Sequence, residues 1–135
     1  MATPIAQEHP AGCAVACVAF ALGINYKEAL LLFVKGASRA GVRGFYVREV
    51  VAALGRGAKG YSYYYINTHN RANMYKDGCI VFTRRSKRYP QGHYLCRNGR
   101  YWMNPWHNFP EMNNVSARFQ KRLPGRPAYA IVPIA

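Results

Sequence analysis

Gln91-Gly-His-Tyr-Leu-Cys-Arg-Asn-Gly-Arg-Tyr-Trp-Met-Asn-Pro-Trp106 reads as a β-hairpin. Asn98-Gly99 suits a two-residue type I′ turn, whose two central positions both need positive φ. That turn pairs Arg97 with Arg100, Cys96 with Tyr101, Leu95 with Trp102 and Tyr94 with Met103. The next rung sets His93 opposite Asn104. Directly opposed residues share a sheet face, with Cβ atoms roughly 4.5–5.5 Å apart. An imidazole and a carboxamide so placed can hydrogen-bond, which fixes the ring and its tautomer. This is the orienting half of a nucleophile–base–orienter triad, and it directs attention to a nucleophile elsewhere.

Outward from the hairpin, residues 61–66, 79–83, 94–97, 100–103 and 128–134 read as strands. Residues 69–76 read as a short helix before an Asp77-Gly78 turn. The N-terminal half has a helical period instead. Residues 12–22 are Ala-rich and apolar on every side, as in a helix buried at the centre of a domain, and Gly23 stops them. A second helix is expected over 26–35, with Leu30, Leu31, Phe33 and Val34 as its apolar face. A glycine-bearing loop follows over 36–44, then a third helix over 45–54; residues 118–126 read as a basic loop. Helices first and strands later predict an α+β domain, with N-terminal helices packed on a C-terminal antiparallel sheet.

With 135 residues, half of them apolar and 14% aromatic, the chain suits a single domain over 1–135 with a real core. Its net charge is +14, from 19 Lys and Arg against 5 Asp and Glu. Such an excess attracts polyanions: nucleic acid, anionic lipid, a cell-wall polymer or an acidic protein. No stretch approaches the roughly 18 apolar residues of a membrane span. Glu8, His9 and Pro10 stand where a signal peptide would carry a basic region. Cytoplasmic synthesis without a signal peptide is therefore expected, compatible with export as an effector or lysin.

Cys13, Cys17, Cys79 and Cys96 match no zinc spacing and read as free thiols, with no metal or cofactor. Cys13 has the best position for chemistry. It opens the buried helix, where unpaired N–H groups and the helix dipole are expected to lower a thiol's pKa. Cys17 lies one turn deeper and reads as a core residue. Cys96 has the opposite strand parity to His93 and so faces away from it. Gln7, six residues before Cys13, could place its amide beside the Cys13 N–H as an oxyanion hole.

Gln-x5-Cys at the head of a helix (Gln7, Cys13), a strand histidine (His93) and Asn-x-Trp (Asn104, Trp106) together resemble the papain-like cysteine peptidase superfamily. The peptidase C39-like group is most similar. It is matched by Gly-Cys-Ala-Val-Ala-Cys over 12–17, Gly41-x-x-Gly-Phe45 leading into a helix, and Gly92-His93-Tyr94 before Asn104-Pro105. The resemblance implies a papain-like fold in which Cys13 attacks a carbonyl and His93 is the base. It further implies that Asn104 orients His93, Gln7 helps hold the oxyanion, and Trp106 shields the His93–Asn104 bond from water. C39-like enzymes usually carry aspartate where this chain has Asn104, which moves the triad toward the papain type.

Arg84-Arg85-Ser86-Lys87-Arg88 precedes the His93 strand, so Arg84, Arg85, Lys87 and Arg88 are expected at one rim of a cleft. They suit an acidic substrate or a phosphate-rich partner. The leading expectation is a thiol-dependent hydrolase, a cysteine peptidase or isopeptidase acting on a protein or peptide substrate. A glutamine deamidase or transferase, or a cell-wall amidase, would use the same triad. A different class is a non-catalytic, basic nucleic-acid-binding adaptor on a peptidase-like fold.

Overall fold

A computed structural model describes residues 2–134 and shows an α+β fold of four α-helices and a six-stranded antiparallel sheet. The helices are α1 (Cys13–Leu22), α2 (Tyr26–Leu30), α3 (Gly36–Val42) and α4 (Val47–Arg56). The strands are β1 (Tyr61–Tyr65), β2 (Ile80–Thr83), β3 (His93–Asn98), β4 (Tyr101–Asn104), β5 (Arg118–Gln120) and β6 (Pro127–Pro133). Their order across the sheet is β1-β6-β2-β3-β4-β5.

The Ala-rich run forms α1 as expected, with Ala14 to Ala19 fully buried. Small side chains let the helix lie close on the sheet. It packs mainly on β3 and shares one core with Tyr94 and Cys96 of β3, Met103 of β4, Ile80 of β2 and Ile131 of β6. The opposite sheet face buries Val81, Leu95, Trp102 and Ala130 beneath Met74, which a 3-10 turn (Arg71–Tyr75) supplies. Cys96 and Leu95 thus fall in different layers, in keeping with strand parity.

Three expected elements are revised. The second helix stops at Leu30, although an Asn25–Glu28 capping box starts it well, with N–H···O bonds of 3.1 and 2.8 Å. The chain turns sharply at Lys35 (φ +54°), so Leu31 and Val34 stand exposed while Phe33 is buried. Residues 36–42, expected as a loop, form α3, because Gly36 and Ala40 offer small faces to the core. Arg39 of α3 then forks onto Glu49 of α4 with bonds of 2.7 and 2.8 Å, tying the two helices together. β5 was likewise expected as loop; it pairs along β4.

The central hairpin forms with a shifted turn. Asn98 pairs with Tyr101, Arg97 with Trp102 and Cys96 with Met103. The turn is therefore Gly99-Arg100, with positive φ at Gly99 (+61°) and not at Asn98. One positive φ, at the first central position, fits the Gly-X pattern of a type II′ turn. His93 is consequently not the direct cross-strand partner of Asn104. The register slips by two residues, and an even slip leaves every side chain on its expected face.

Among the described residues, no helix is long and apolar enough to cross a membrane.

Candidate active site

Cys13, His93 and Gln7 line one cleft of about 970 Å³, between the α1 N-terminus, the α3–α4 connection and the loop between β2 and β3. Trp106 and Tyr89 form part of the same wall.

His93 begins β3 and Asn104 ends β4. The His93 Nε2 and Asn104 Oδ1 are 2.7 Å apart, both residues buried. Each remaining polar atom of Asn104 is engaged. Oδ1 also accepts from the Trp106 N–H (3.0 Å), while Nδ2 donates to the Tyr89 hydroxyl (3.2 Å) and to Gln120 Oε1 (3.0 Å). This network fixes the carboxamide with its oxygen toward the imidazole. Nε2 must then carry the proton, and Nδ1 is the acceptor. Nδ1 has no hydrogen-bond partner among the described residues.

Gly92 (φ +79°) delivers the chain to His93. A Cβ there would meet the Phe82 ring at 2.3 Å and the Thr83 carbonyl at 2.7 Å. Only glycine combines that φ with that approach. Tyr94 turns its ring under α1 and donates its hydroxyl to the Phe45 carbonyl at 2.8 Å.

Cys13 is half-buried at the head of α1, whereas Cys17, Cys79 and Cys96 are buried; all four are free thiols. The first i→i−4 bond of α1 runs from the Ala16 N–H to Gly12 O (3.1 Å), so the N–H groups of Cys13, Ala14 and Val15 precede the ladder. The thiol is not pre-ionised as expected. Burial pushes it up to about 11, outweighing the pull of the N–H groups of Tyr94, Ala14 and Cys13 itself. Burial likewise holds His93 down to about 4, against the Asn104 bond and with the repulsion of Arg88. The resting pair is a neutral thiol and a neutral imidazole, with no Cys13–His93 hydrogen bond among the described residues.

Gln7 is buried on the cleft wall, its backbone N–H bonded to Pro105 O (3.2 Å). Its Nε2 donates to His9 O (3.0 Å) and Pro10 O (3.2 Å), and its Oε1 has no partner. In this conformation the amide clamps the loop that leads to Cys13 and holds no free donor. Trp106 is buried, packs edge-on against Phe109 and donates its indole N–H to Glu111 O (3.1 Å). Its backbone N–H donates to Asn104 Oδ1, whereas the ring stacked on His93 belongs to Tyr89.

The basic loop divides its roles. Arg85 lines the cleft, Arg84 donates to the Tyr65 hydroxyl, and Arg88 donates to His107 O (2.8 Å). Lys87 is exposed. No Asp or Glu lines the cleft among the described residues, and no group of three His, Cys, Asp or Glu converges as a metal site.

Sequence reasoning missed Tyr89 and Gln120. Gln120 sits on β5, a strand of three residues with no alternation to announce it. Tyr89 belongs to a loop whose charges hid the one aromatic side chain turned inward. No family model and no curated protein matches this chain.

Proposed function

We propose that this protein is a thiol-dependent hydrolase of the papain type, a cysteine peptidase or isopeptidase. The observation that supports it most is the buried 2.7 Å His93–Asn104 bond on the wall of the cleft that also holds Cys13. A buried, fully satisfied network that leaves one imidazole nitrogen without a partner suits a base better than a core histidine, which would use both nitrogens.

On this reading His93 Nδ1 takes the Cys13 proton as the sulfur attacks a carbonyl, and returns it to the leaving amine. The first-turn N–H groups of α1 face the developing oxyanion. Gln7 would join them by releasing one of its two loop carbonyls. Asn104 holds the imidazolium as it forms. A deamidase, a transferase or a cell-wall amidase would use the same steps with another carbonyl or acceptor.

The test is alkylation by iodoacetamide near pH 7, read residue by residue by mass spectrometry. Cys13 should react well before Cys17, Cys79 and Cys96, and His93→Gln should slow it. Cys13→Ala should abolish hydrolysis of a mixed peptide pool. Equal, slow labelling of all four cysteines would overturn the proposal. The adaptor reading has the +14 charge on its side. It would gain if binding to generic DNA or RNA fell steeply with salt while Cys13 stayed inert.

A further inference from the structure

Tyr89 stands in the loop between β2 and β3, four residues before His93, and is buried. Its ring lies flat on the imidazole, with centroids 3.9 Å apart and planes inclined by 3°. Its hydroxyl donates to the Trp106 carbonyl (2.6 Å) and accepts from Asn104 Nδ2 (3.2 Å). The loop pins it in place: its N–H donates to Ser86 Oγ (3.1 Å), and its carbonyl accepts from the Gly92 N–H (2.9 Å).

These contacts act on the two freedoms that matter for a base. A ring stacked face to face at 3.9 Å opposes the imidazole flip that would put Cε1 in place of Nε2 and Cδ2 in place of Nδ1. The hydroxyl acts on the tautomer, together with the Trp106 N–H and Gln120 Oε1. Because the Trp106 carbonyl can only accept, the Tyr89 proton must point at it, and the hydroxyl oxygen is left to accept from Asn104. That holds the Asn104 amino group away from His93 and its oxygen toward Nε2. Both hydroxyl bonds of Tyr89 thus go to the segment that carries the orienting asparagine, where a tyrosine serving only the core could use any carbonyl.

We infer that Tyr89 is a positioning residue of this site, its ring fixing the plane of His93 and its hydroxyl helping to hold the tautomer that leaves Nδ1 as base. The catalytic consequence rests on the hydrolase reading; the geometric one does not.

The experiment compares the full-length chain with Tyr89→Phe and Tyr89→Leu by ¹⁵N NMR of the imidazoles across a pH titration, alongside iodoacetamide labelling. Wild type should show a single Nε2–H tautomer for His93. Tyr89→Phe keeps the stack and removes the hydroxyl, so both tautomers should appear. Tyr89→Leu opens one ring face to water, so the His93 midpoint should rise by about one unit or more. For any peptide the wild type cleaves, kcat should fall on the order of tenfold in Tyr89→Phe, as for one lost hydrogen bond. It should fall about a hundredfold in Tyr89→Leu, with KM little changed. An unchanged His93 tautomer and midpoint in both variants would overturn the inference; if Tyr89→Leu fails to fold, the near-isosteric Tyr89→Phe decides alone. If the NMR changes occur but Cys13 is inert and no peptide is cleaved, the hydrolase reading falls and the positioning role stands.

Discussion

The His93 imidazole and the Asn104 carboxamide meet at 2.7 Å although the hairpin register does not place them opposite each other. Both stand at strand ends, where side chains reach diagonally. The bond is held by a ring of neighbours, Tyr89, Trp106 and Gln120, more than by the strand pairing. Replacing one member should therefore disturb the others. Asn104→Ala leaves the His93 Nε2–H, the Trp106 N–H and Gln120 Oε1 without this partner. A loss of about 2–4 kcal/mol is expected from denaturant unfolding, at roughly 1–3 kcal/mol for each buried group left unpaired and some relief by water. Asn104→Asp keeps the shape but sets an acceptor against Gln120 Oε1 and a charge beside the imidazole. It should raise the His93 midpoint well above about 4, visible by NMR titration. An unchanged midpoint would show that the carboxylate does not face the ring.

The same buried histidine makes stability depend on pH. Its folded-state value, held down to about 4 by burial, lies below the ordinary 6.5. Between those values the unfolded chain binds a proton that the folded chain refuses. Stability is therefore full above pH 6.5 and falls as pH drops toward 4, by about 3 kcal/mol for this one group. Denaturant midpoints measured from pH 7 to pH 4 should show the decline, and His93→Gln should flatten it. The acid limb of any hydrolytic activity should lie near the lower end of that window, because Nδ1 accepts a proton only while the ring is neutral.

Gly92→Ala tests how closely the backbone fixes His93. The change strains a position at φ +79° and drives a methyl into the Phe82 ring and the Thr83 carbonyl. It should cost about 2 kcal/mol or more and reduce any peptide hydrolysis beyond what stability explains. Gly99 provides the contrast, with positive φ but open space around its Cβ. Gly99→Ala should be milder in stability and leave any peptide hydrolysis unchanged.

What was legible in the chain follows the strength of each local signal. α1 announced itself because an unbroken Ala-rich, apolar run has no other comfortable state. The hairpin did so because alternating residues flank a glycine. The turn was misplaced because Asn98-Gly99 favours a type I′ geometry that tertiary packing did not choose; Asp77 binds the Gly99 N–H instead. The error was harmless to the site since an even slip preserves the faces. α3 was hidden by Gly36, Gly41 and Gly44, whose composition reads as loop although Ala40 docks on the core. The lowered thiol expected of Cys13 came from helix position alone. Burial, a property of the whole fold, outweighed it. Tyr89 and Gln120 reach Asn104 from segments 15 and 16 residues away, a proximity that no local pattern encodes.

Charge at the cleft separates position from mere abundance. With 19 basic residues, any surface of this chain attracts anions, so binding of an acidic peptide would not by itself implicate the cleft. Arg85 and Lys87 share one loop and one charge, yet Arg85 lines the cleft and Lys87 does not. A glutamate-rich peptide held in the cleft would meet Arg85 at close range and Lys87 only through the long-range field. Arg85→Ala should therefore weaken binding by about twofold to fivefold, in line with an exposed ion pair, and Lys87→Ala by much less. Raising salt to about 0.5 M shortens the Debye length to a few ångströms. The Lys87 effect should then vanish, while part of the Arg85 effect survives. Fluorescence anisotropy of the labelled peptide at two salt concentrations makes the comparison. Equal losses in both variants would mean that net charge, and not the cleft, recruits acidic chains.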